Sequence, residues 1–143
     1  MNARCSRALR AALTGVAGAL IVALSIWGQS VFVPSAALAA YAPAPFPVLL
    51  DCLRFCAMLI LPLAVLAALS GPWPFKLLAY LMLALGWYWA GDRVGATFPA
   101  PGGGGWLPGE AFTALIYEPI ITPVLVLLGI VVFRQILRGL NRG

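Results

Sequence analysis

The sequence contains no histidine, and this absence excludes several classes of site. Histidine is the usual general base in catalysis and a ligand in many zinc and haem sites. Only three cysteines are present, Cys5, Cys52 and Cys56, so a four-cysteine metal site cannot form. Cys52 and Cys56 have i, i+4 spacing, so they do not form a CxxC motif. We expect them to be small apolar residues that pack on one helix face. We therefore expect no catalytic residues, no metal, no cofactor and no enzyme activity.

Charged residues are also scarce. They make up 9% of the chain, whereas hydrophobic residues make up 63% and the mean hydropathy is +1.00. Soluble domains typically contain about 25% charged residues, so these charges cannot cover a globular surface in water. Most of the surface should face lipid, and residues 1–143 are predicted to form a single membrane domain. The net charge of +5 lies mainly in short basic segments beside helices, which indicate topology, and no nucleic-acid partner is expected.

Four apolar segments are long enough to cross a bilayer, which takes about 20 residues of α-helix. They cover residues 9–28, 47–69, 74–91 and 112–133. The intervening segments are rich in proline, glycine and small residues, as connecting turns should be. One of them, the glycine- and proline-rich segment 92–111, is predicted to be a flexible outer loop. The pattern predicts an all-α bundle of four transmembrane helices.

The distribution of basic residues predicts the orientation of this bundle. With four spans, seven of the nine Lys and Arg residues fall on one side, and only Arg93 lies in a loop on the other. By the positive-inside rule the side with seven is cytoplasmic, so both termini are expected in the cytoplasm. The membrane is expected to be of the bacterial inner-membrane type. The seven residues are Arg4, Arg7, Arg10, Lys76, Arg134, Arg138 and Arg142.

A cleaved signal peptide is the alternative for the first segment. The basic residues before this segment and the small residues Ala37 and Ala39 resemble the start and the cleavage site of such a peptide. However, the apolar run is longer than the usual ~7–15 residues, and the cleavage site would lie well beyond its end. We therefore expect a retained membrane helix, whereas cleavage would leave three spans.

Small residues form a stripe along the first span. Ala11, Gly15, Ala19 and Ala23 recur at strict i, i+4 spacing. Because lipid removes the hydrophobic drive between helices, close approach at small residues matters for packing in membranes. This stripe is predicted to be a packing face, either for another helix of the chain or for a partner protein.

Tryptophans stand near the predicted ends of the spans. Amphipathic aromatic rings commonly anchor helices at the level of the lipid headgroups. We therefore predict that five residues are interface anchors, namely Trp27, Trp73, Trp87, Trp89 and Trp106.

Three charged residues lie inside the predicted spans. Asp51 and Arg54 are about 6 and 10 Å beyond the outer start of the second span, and Glu118 is about 9 Å into the fourth, at ~1.5 Å per residue. An ionised side chain in the membrane core is expensive unless it pairs or snorkels. Arg54 is therefore expected to pair with Asp51, or with Glu118 if the second and fourth spans are neighbours. Tyr117 and Thr122 could donate hydrogen bonds to the remaining carboxylate.

This predicted polar cluster has three interpretations. It is an ion-pair network that fixes helix register, a docking surface for a partner subunit, or a proton or cation site with Glu118 as the titrating group. The first interpretation predicts that Arg54→Ala is more damaging than Arg93→Ala, because only Arg54 would leave buried carboxylates unpaired. The inner halves of the second and fourth spans are wholly apolar, which weakens a pathway across the membrane.

The sequence favours a protein that acts by association. We expect a non-catalytic subunit or an accessory or assembly factor of a larger membrane complex, with lipid, other membrane subunits or further copies of itself as partners. The alternative is a small transporter or channel component that uses Asp51, Arg54 and Glu118.

Overall fold

The computed structural model describes the backbone of residues 3–142 and the side chains of residues 5–139. It is 81% helical, and no strand occurs in the described backbone. The α-helices are α1 (Ala3–Phe32), α2 (Ala36–Ala39), α3 (Pro45–Cys56), α4 (Ile60–Leu69), α5 (Trp73–Gly95) and α6 (Ile121–Arg142). A 3₁₀ turn, Ala57–Leu59, joins α3 to α4, and a π-turn, Phe112–Ile116, precedes α6.

Three helical segments are long and apolar enough to cross a membrane, which indicates a membrane protein. They are Cys5–Phe32, Pro45–Leu69 and Ile121–Gly139. The remaining predicted span, 74–91, lies within α5, a helix of 23 residues that is not among these three. Its outer part reads GWYWAGDR, and glycine, aromatic and charged residues lower its mean hydropathy.

The helix α1 packs closely against the second span through small residues. Gly15 is buried, and a Cβ added there would meet the backbone oxygen of Ile60 and lie 2.8 Å from the Cβ of Ala64. The other members of the predicted stripe, Ala11, Ala19 and Ala23, are 0–4% exposed. The structure therefore places the stripe against another helix of the same chain, where it allows the backbones of α1 and α4 to approach.

The middle of the bundle is filled by apolar side chains. A Cβ added at Gly18 would lie 2.8 Å from atoms of both Leu63, on α4, and Phe133, on α6. Leu63 and Phe133 are themselves fully buried. The helices α1 and α5 each pack against both the second span and α6, so they separate the second span from α6.

The second span keeps a helical backbone throughout, but it tightens in the middle. Pro62 has no N–H to donate to the carbonyl oxygen one turn earlier, and its ring crowds that carbonyl. The 3₁₀ turn Ala57–Leu59 lies immediately before the turn that contains this proline. The span begins at Pro45, two residues before the predicted start, with a proline in the first turn, where no donor is needed.

The fourth predicted span is interrupted, which corrects its predicted start. Residues 112–116 form the π-turn, residues 117–120 are not helical, and α6 begins only at Ile121. Pro119 accounts for the break, because a proline disfavours helical geometry in the residue before it and lacks a backbone donor. Glu118 therefore precedes α6 and does not lie within it.

Candidate functional site

The interruption before α6 leaves backbone carbonyls that polar side chains of the first span and its loop satisfy. The side-chain nitrogen of Gln29 donates to the oxygen of Ile116 at 2.6 Å, and the hydroxyl of Ser35 donates to the oxygen of Leu115 at 2.6 Å. Gln29 and Ser35 are 3% and 7% exposed. Buried backbone groups must be paired, so these two side chains stabilise the irregular segment.

Thr122 completes this buried polar network. Its hydroxyl accepts from the side-chain nitrogen of Gln29 at 3.0 Å and from the backbone N–H of Glu118 at 2.9 Å. The backbone N–H of Thr122 donates to the oxygen of Glu118 at 3.0 Å. Gln29 and Thr122 thus connect the outer end of α1 to the first turn of α6, and Glu118 is held by its backbone at the edge of the network.

The structure does not bring the predicted charged cluster together. The guanidinium of Arg54 is exposed, with its carbon 5.8 Å from the ring centre of Phe55. No ion pair joins Arg54 to Asp51 or Glu118, whose side chains are all among those described. The expected pairing with Glu118 is absent because α1 and α5 separate the second span from α6.

The structure also places Glu118 outside the helix in which the sequence predicts it. The indole N–H of Trp27 donates to the oxygen of Pro45, so the start of α3 lies level with this part of α1. Gln29 lies half a turn beyond Trp27 on α1, and its side chain contacts Ile116 and Thr122, on either side of Glu118. Asp51 lies about 9 Å inward of Pro45, at ~1.5 Å per residue. Glu118 therefore sits at the outer ends of the helices, whereas Asp51 lies more than one turn deeper.

Two acidic side chains satisfy backbone donors in the loop and at its end. The carboxylate of Asp92 accepts from the backbone N–H of Phe112 at 3.2 Å, and that of Glu110 accepts from the N–H of Leu107 at 2.9 Å. Neither carboxylate was singled out from the sequence, since both lie in or beside a glycine-rich loop without a motif. Only the local fold shows that each one satisfies a backbone donor.

The segment predicted to be a flexible loop is fastened at both flanks. The hydroxyl of Tyr41 donates to the oxygen of Pro99, and the indole N–H of Trp106 donates to the oxygen of Phe98, each at 2.7 Å. The four glycines between these contacts, Gly102–Gly105, are exposed. Gly102 and Gly103 have φ of 81° and 76°, which glycine adopts without strain.

We call this assembly, residues 33–44 together with residues 96–120, the outer cap, after the side of the membrane on which the distribution of basic residues predicts it. The cap encloses a cleft of about 410 Å³. Its walls are mainly apolar and contain one carboxylate, that of Glu110. The residues that line it include Ala37, Ala40, Tyr41, Trp106, Ala114 and Leu115.

The five predicted anchor tryptophans occupy different environments. Trp87 is 3% exposed, its ring packs edge-on to Phe112, and its indole N–H is buried without a hydrogen-bond partner. It is therefore a core residue and not a surface anchor. Trp73 is 70% exposed, Trp89 packs on Phe55, and Trp27 and Trp106 donate to the backbone oxygens of Pro45 and Phe98, respectively.

Tyr117 borders the cap, with 41% of its surface exposed and its ring centre 5.9 Å from that of Phe112. Of the residues predicted to form a cluster, only Glu118 and Thr122 are joined by a hydrogen bond. Gln29 and Ser35 are the polar residues that sequence reasoning missed. The only signal for them was their position near the outer end of an apolar span.

No known protein family, curated protein or solved structure matches this chain.

Proposed function

We propose that the chain is a non-catalytic subunit or assembly factor of a larger complex in a bacterial-type inner membrane. The outer cap carries this proposal, because its loops are ordered by specific side-chain hydrogen bonds around a cleft that a partner segment could enter. Loops that a rigid scaffold holds in place often carry binding residues. The cap therefore serves as a binding surface on the outer side of the membrane.

Exposed apolar side chains around the cap support association. Phe32, Phe46, Leu107 and Ile120 are 68–76% exposed. Two of them, Leu107 and Ile120, belong to loops and not to the membrane-spanning helices. Clusters of exposed apolar residues commonly mark protein or membrane contacts. The chemistry of the cleft suits an extended apolar segment of a partner with a donor or cation near Glu110.

The topology that we propose has four spans with both termini in the cytoplasm. The 23 residues of α5 reach about 35 Å, enough to cross a hydrocarbon core of about 30 Å. One face of α5 is deeply buried in the bundle, where Ala79, Leu83 and Ala90 are 0–3% exposed. Reporter fusions at residues 71 and 103 should give cytoplasmic and external signals, respectively. External signals at both positions would contradict a spanning α5.

The place of α1 in the bundle supports its retention as a membrane helix. Its small-residue stripe lies against the second span, and its residues Val22 and Ile26 are fully buried. Cleavage after Ala39 would remove this packing and also Gln29 from the polar network. The intact mass of the purified protein should include residues 1–39, and a mass that begins at residue 40 would contradict the four-span topology.

Association can be tested by native purification in mild detergent with quantification of the proteins that are recovered. Ala114 is exposed and lines the cleft, so Ala114→Trp fills the cleft without disturbing the core. We expect this variant to lose a partner that the wild-type chain retains. The matched control is Ala12→Trp, at an exposed position on α1 outside the cap. The proposal fails if the wild-type chain is recovered only with copies of itself, or if both variants retain the same partners.

A second candidate, a transporter or channel component, is favoured by the interrupted helix beside Glu118. Broken helices with freed backbone groups and nearby polar side chains form substrate sites in many transporters. Against this stands the packed middle of the bundle, where Val22, Leu63 and Phe133 are fully buried. Proton or cation flux into vesicles that is abolished by Glu118→Gln, but not by Glu110→Gln, would favour transport over association.

A further inference from the structure

A second cleft lies between α5 and α6 at the end of the bundle opposite the outer cap. Its volume is about 510 Å³. On α5 it is lined by Trp73, Lys76, Leu77 and Tyr80, which share one helix face at i, i+3, i+4 and i+7. On α6 it is lined by Ile130, Arg134, Leu137 and Arg138, which share one helix face at i, i+4, i+7 and i+8. We call it the inner cleft.

The charges of the inner cleft are all positive. Lys76, Arg134 and Arg138 line it, and no carboxylate in the described part of the chain does. The four acidic residues of the chain, Asp51, Asp92, Glu110 and Glu118, lie in the outer parts of the helices or in the cap. Three cations around one cleft, with no carboxylate of the described residues beside them, create a positive local potential that favours a bound anion.

The shape of the inner cleft combines polar and apolar chemistry. Trp73 is 70% exposed, which suits a ring at headgroup level. Leu77 lies one turn beyond Trp73 and directly after Lys76, and Ile130 lies one turn before Arg134, so both apolar residues are on the side of the cleft that faces the middle of the bundle. A ligand that fills the cleft therefore needs an anionic head beside the three cations and an apolar part that follows these residues into the bilayer.

We propose that the inner cleft binds the phosphate headgroup of an anionic phospholipid. Lys76, Arg134 and Arg138 donate charge-assisted hydrogen bonds to the phosphate oxygens, and an acyl chain lies along Leu77 and Ile130. Basic pockets between transmembrane helices near the cytoplasmic surface recognise such headgroups. The choice of leaflet follows the topology proposed above, whereas the binding chemistry rests only on the cleft and a surrounding membrane.

The test is native mass spectrometry of the full chain released from nanodiscs with equal amounts of zwitterionic and anionic phospholipid. We expect the wild-type protein to retain the anionic lipid preferentially. Each Lys or Arg near a membrane surface contributes about fivefold to the attraction of anionic lipid. The triple variant Lys76→Gln, Arg134→Gln, Arg138→Gln should therefore lower the preference by roughly a hundredfold.

The matched control is Arg54→Gln combined with Arg93→Gln, which removes exposed cations in the last turns of α3 and α5, outside the inner cleft. This control should keep the preference. Helix content by circular dichroism checks the folding of each variant, and Arg134→Gln alone replaces the triple variant if the latter misfolds. Unchanged lipid retention in the folded cleft variant overturns the proposal, as does an equal loss in the control.

A further arm separates a lipid headgroup from free phosphate. Inorganic phosphate at millimolar concentration should not displace the retained lipid, because the acyl chain contributes apolar contacts that phosphate lacks. Displacement by inorganic phosphate would overturn the lipid assignment. These measurements need no protein partner, so their outcome is independent of the proposed association through the outer cap.

Discussion

The two ends of the bundle differ in charge, backbone and packing. The outer end contains the interrupted helix and a buried polar network, and all four acidic residues lie in the outer half of the bundle. The inner end contains basic residues and the short turn between α4 and α5. Where the backbone leaves the helix, particular side chains must replace the lost hydrogen bonds. Where the helices are continuous, close packing at small residues is sufficient to hold them together.

This comparison explains why mutations should act differently at the two levels. In the middle and inner parts of the bundle, stability depends on the space between helices. In the outer cap, it depends on individual hydrogen bonds to backbone groups, among them the buried ones from Gln29 and Ser35. The four predictions that follow are ordered from the largest expected effect to the smallest.

The largest effect is expected from Gly15→Leu. Any side chain at this position meets the backbone of Ile60 and lies within 2.9 Å of Ala64, so α1 and α4 must separate. We expect a loss of about 3 kcal/mol or failure to fold, measured as thermal stability in detergent. The control is Gly28→Leu in the same helix, where nothing lies within 4 Å of the added Cβ. Equal losses would show that the close contact is not what limits the packing.

Gln29→Ala should have the next largest effect, at the outer end. It leaves the backbone oxygen of Ile116 and the hydroxyl of Thr122 without their buried partner. An unsatisfied buried polar group costs about 1–3 kcal/mol, and we expect about 2 kcal/mol in equilibrium unfolding. Gln135→Ala, at an exposed position on α6, is the matched control and should change stability little. If the two variants lose the same stability, the polar network does not hold the interruption in place.

Ser35→Ala should have a smaller effect. The hydroxyl of Ser35 caps α2 by accepting from the N–H of Leu38 at 3.1 Å, and it donates to the oxygen of Leu115. Loss of a cap and one hydrogen bond costs about 1 kcal/mol. Ser25→Ala removes only a bond within α1 and should be nearly neutral. Hydrogen exchange at residues 112–120 should increase in Ser35→Ala, and protection equal to that of the wild type would contradict the link between α2 and the π-turn.

Arg54→Ala and Arg93→Ala should have the smallest effects, and these should be equal. Both guanidiniums lie over aromatic rings at nearly the same distance, 5.8 Å from Phe55 and 5.9 Å from Trp89. Exposed cation–π contacts of this kind are worth about 0.5–1 kcal/mol. The sequence alone predicts a larger loss for Arg54, so parallel melting curves of the two variants decide between the two expectations. A larger loss for Arg54 would show that it pairs with a carboxylate in the membrane.

Composition and periodicity were sufficient to predict the features that depend on neighbouring residues in the chain. The apolar segments became helices, and three are long and apolar enough to cross a membrane. The i, i+4 stripe of small residues in α1 could be recognised because helix geometry alone places those residues on one face. The charge asymmetry between the two ends could be counted directly.

Only the tertiary structure decided which polar groups meet. Gln29 and its partners Ile116 and Thr122 are 87 and 93 residues apart in the chain, and no local pattern joins them. The burial of Trp87 and the separation of Arg54 from Glu118 likewise depend on which helices are neighbours. Hydropathy and spacing determine that a segment is a helix and which face is small or apolar. The partner across the bundle depends on how all the helices fill the interior together.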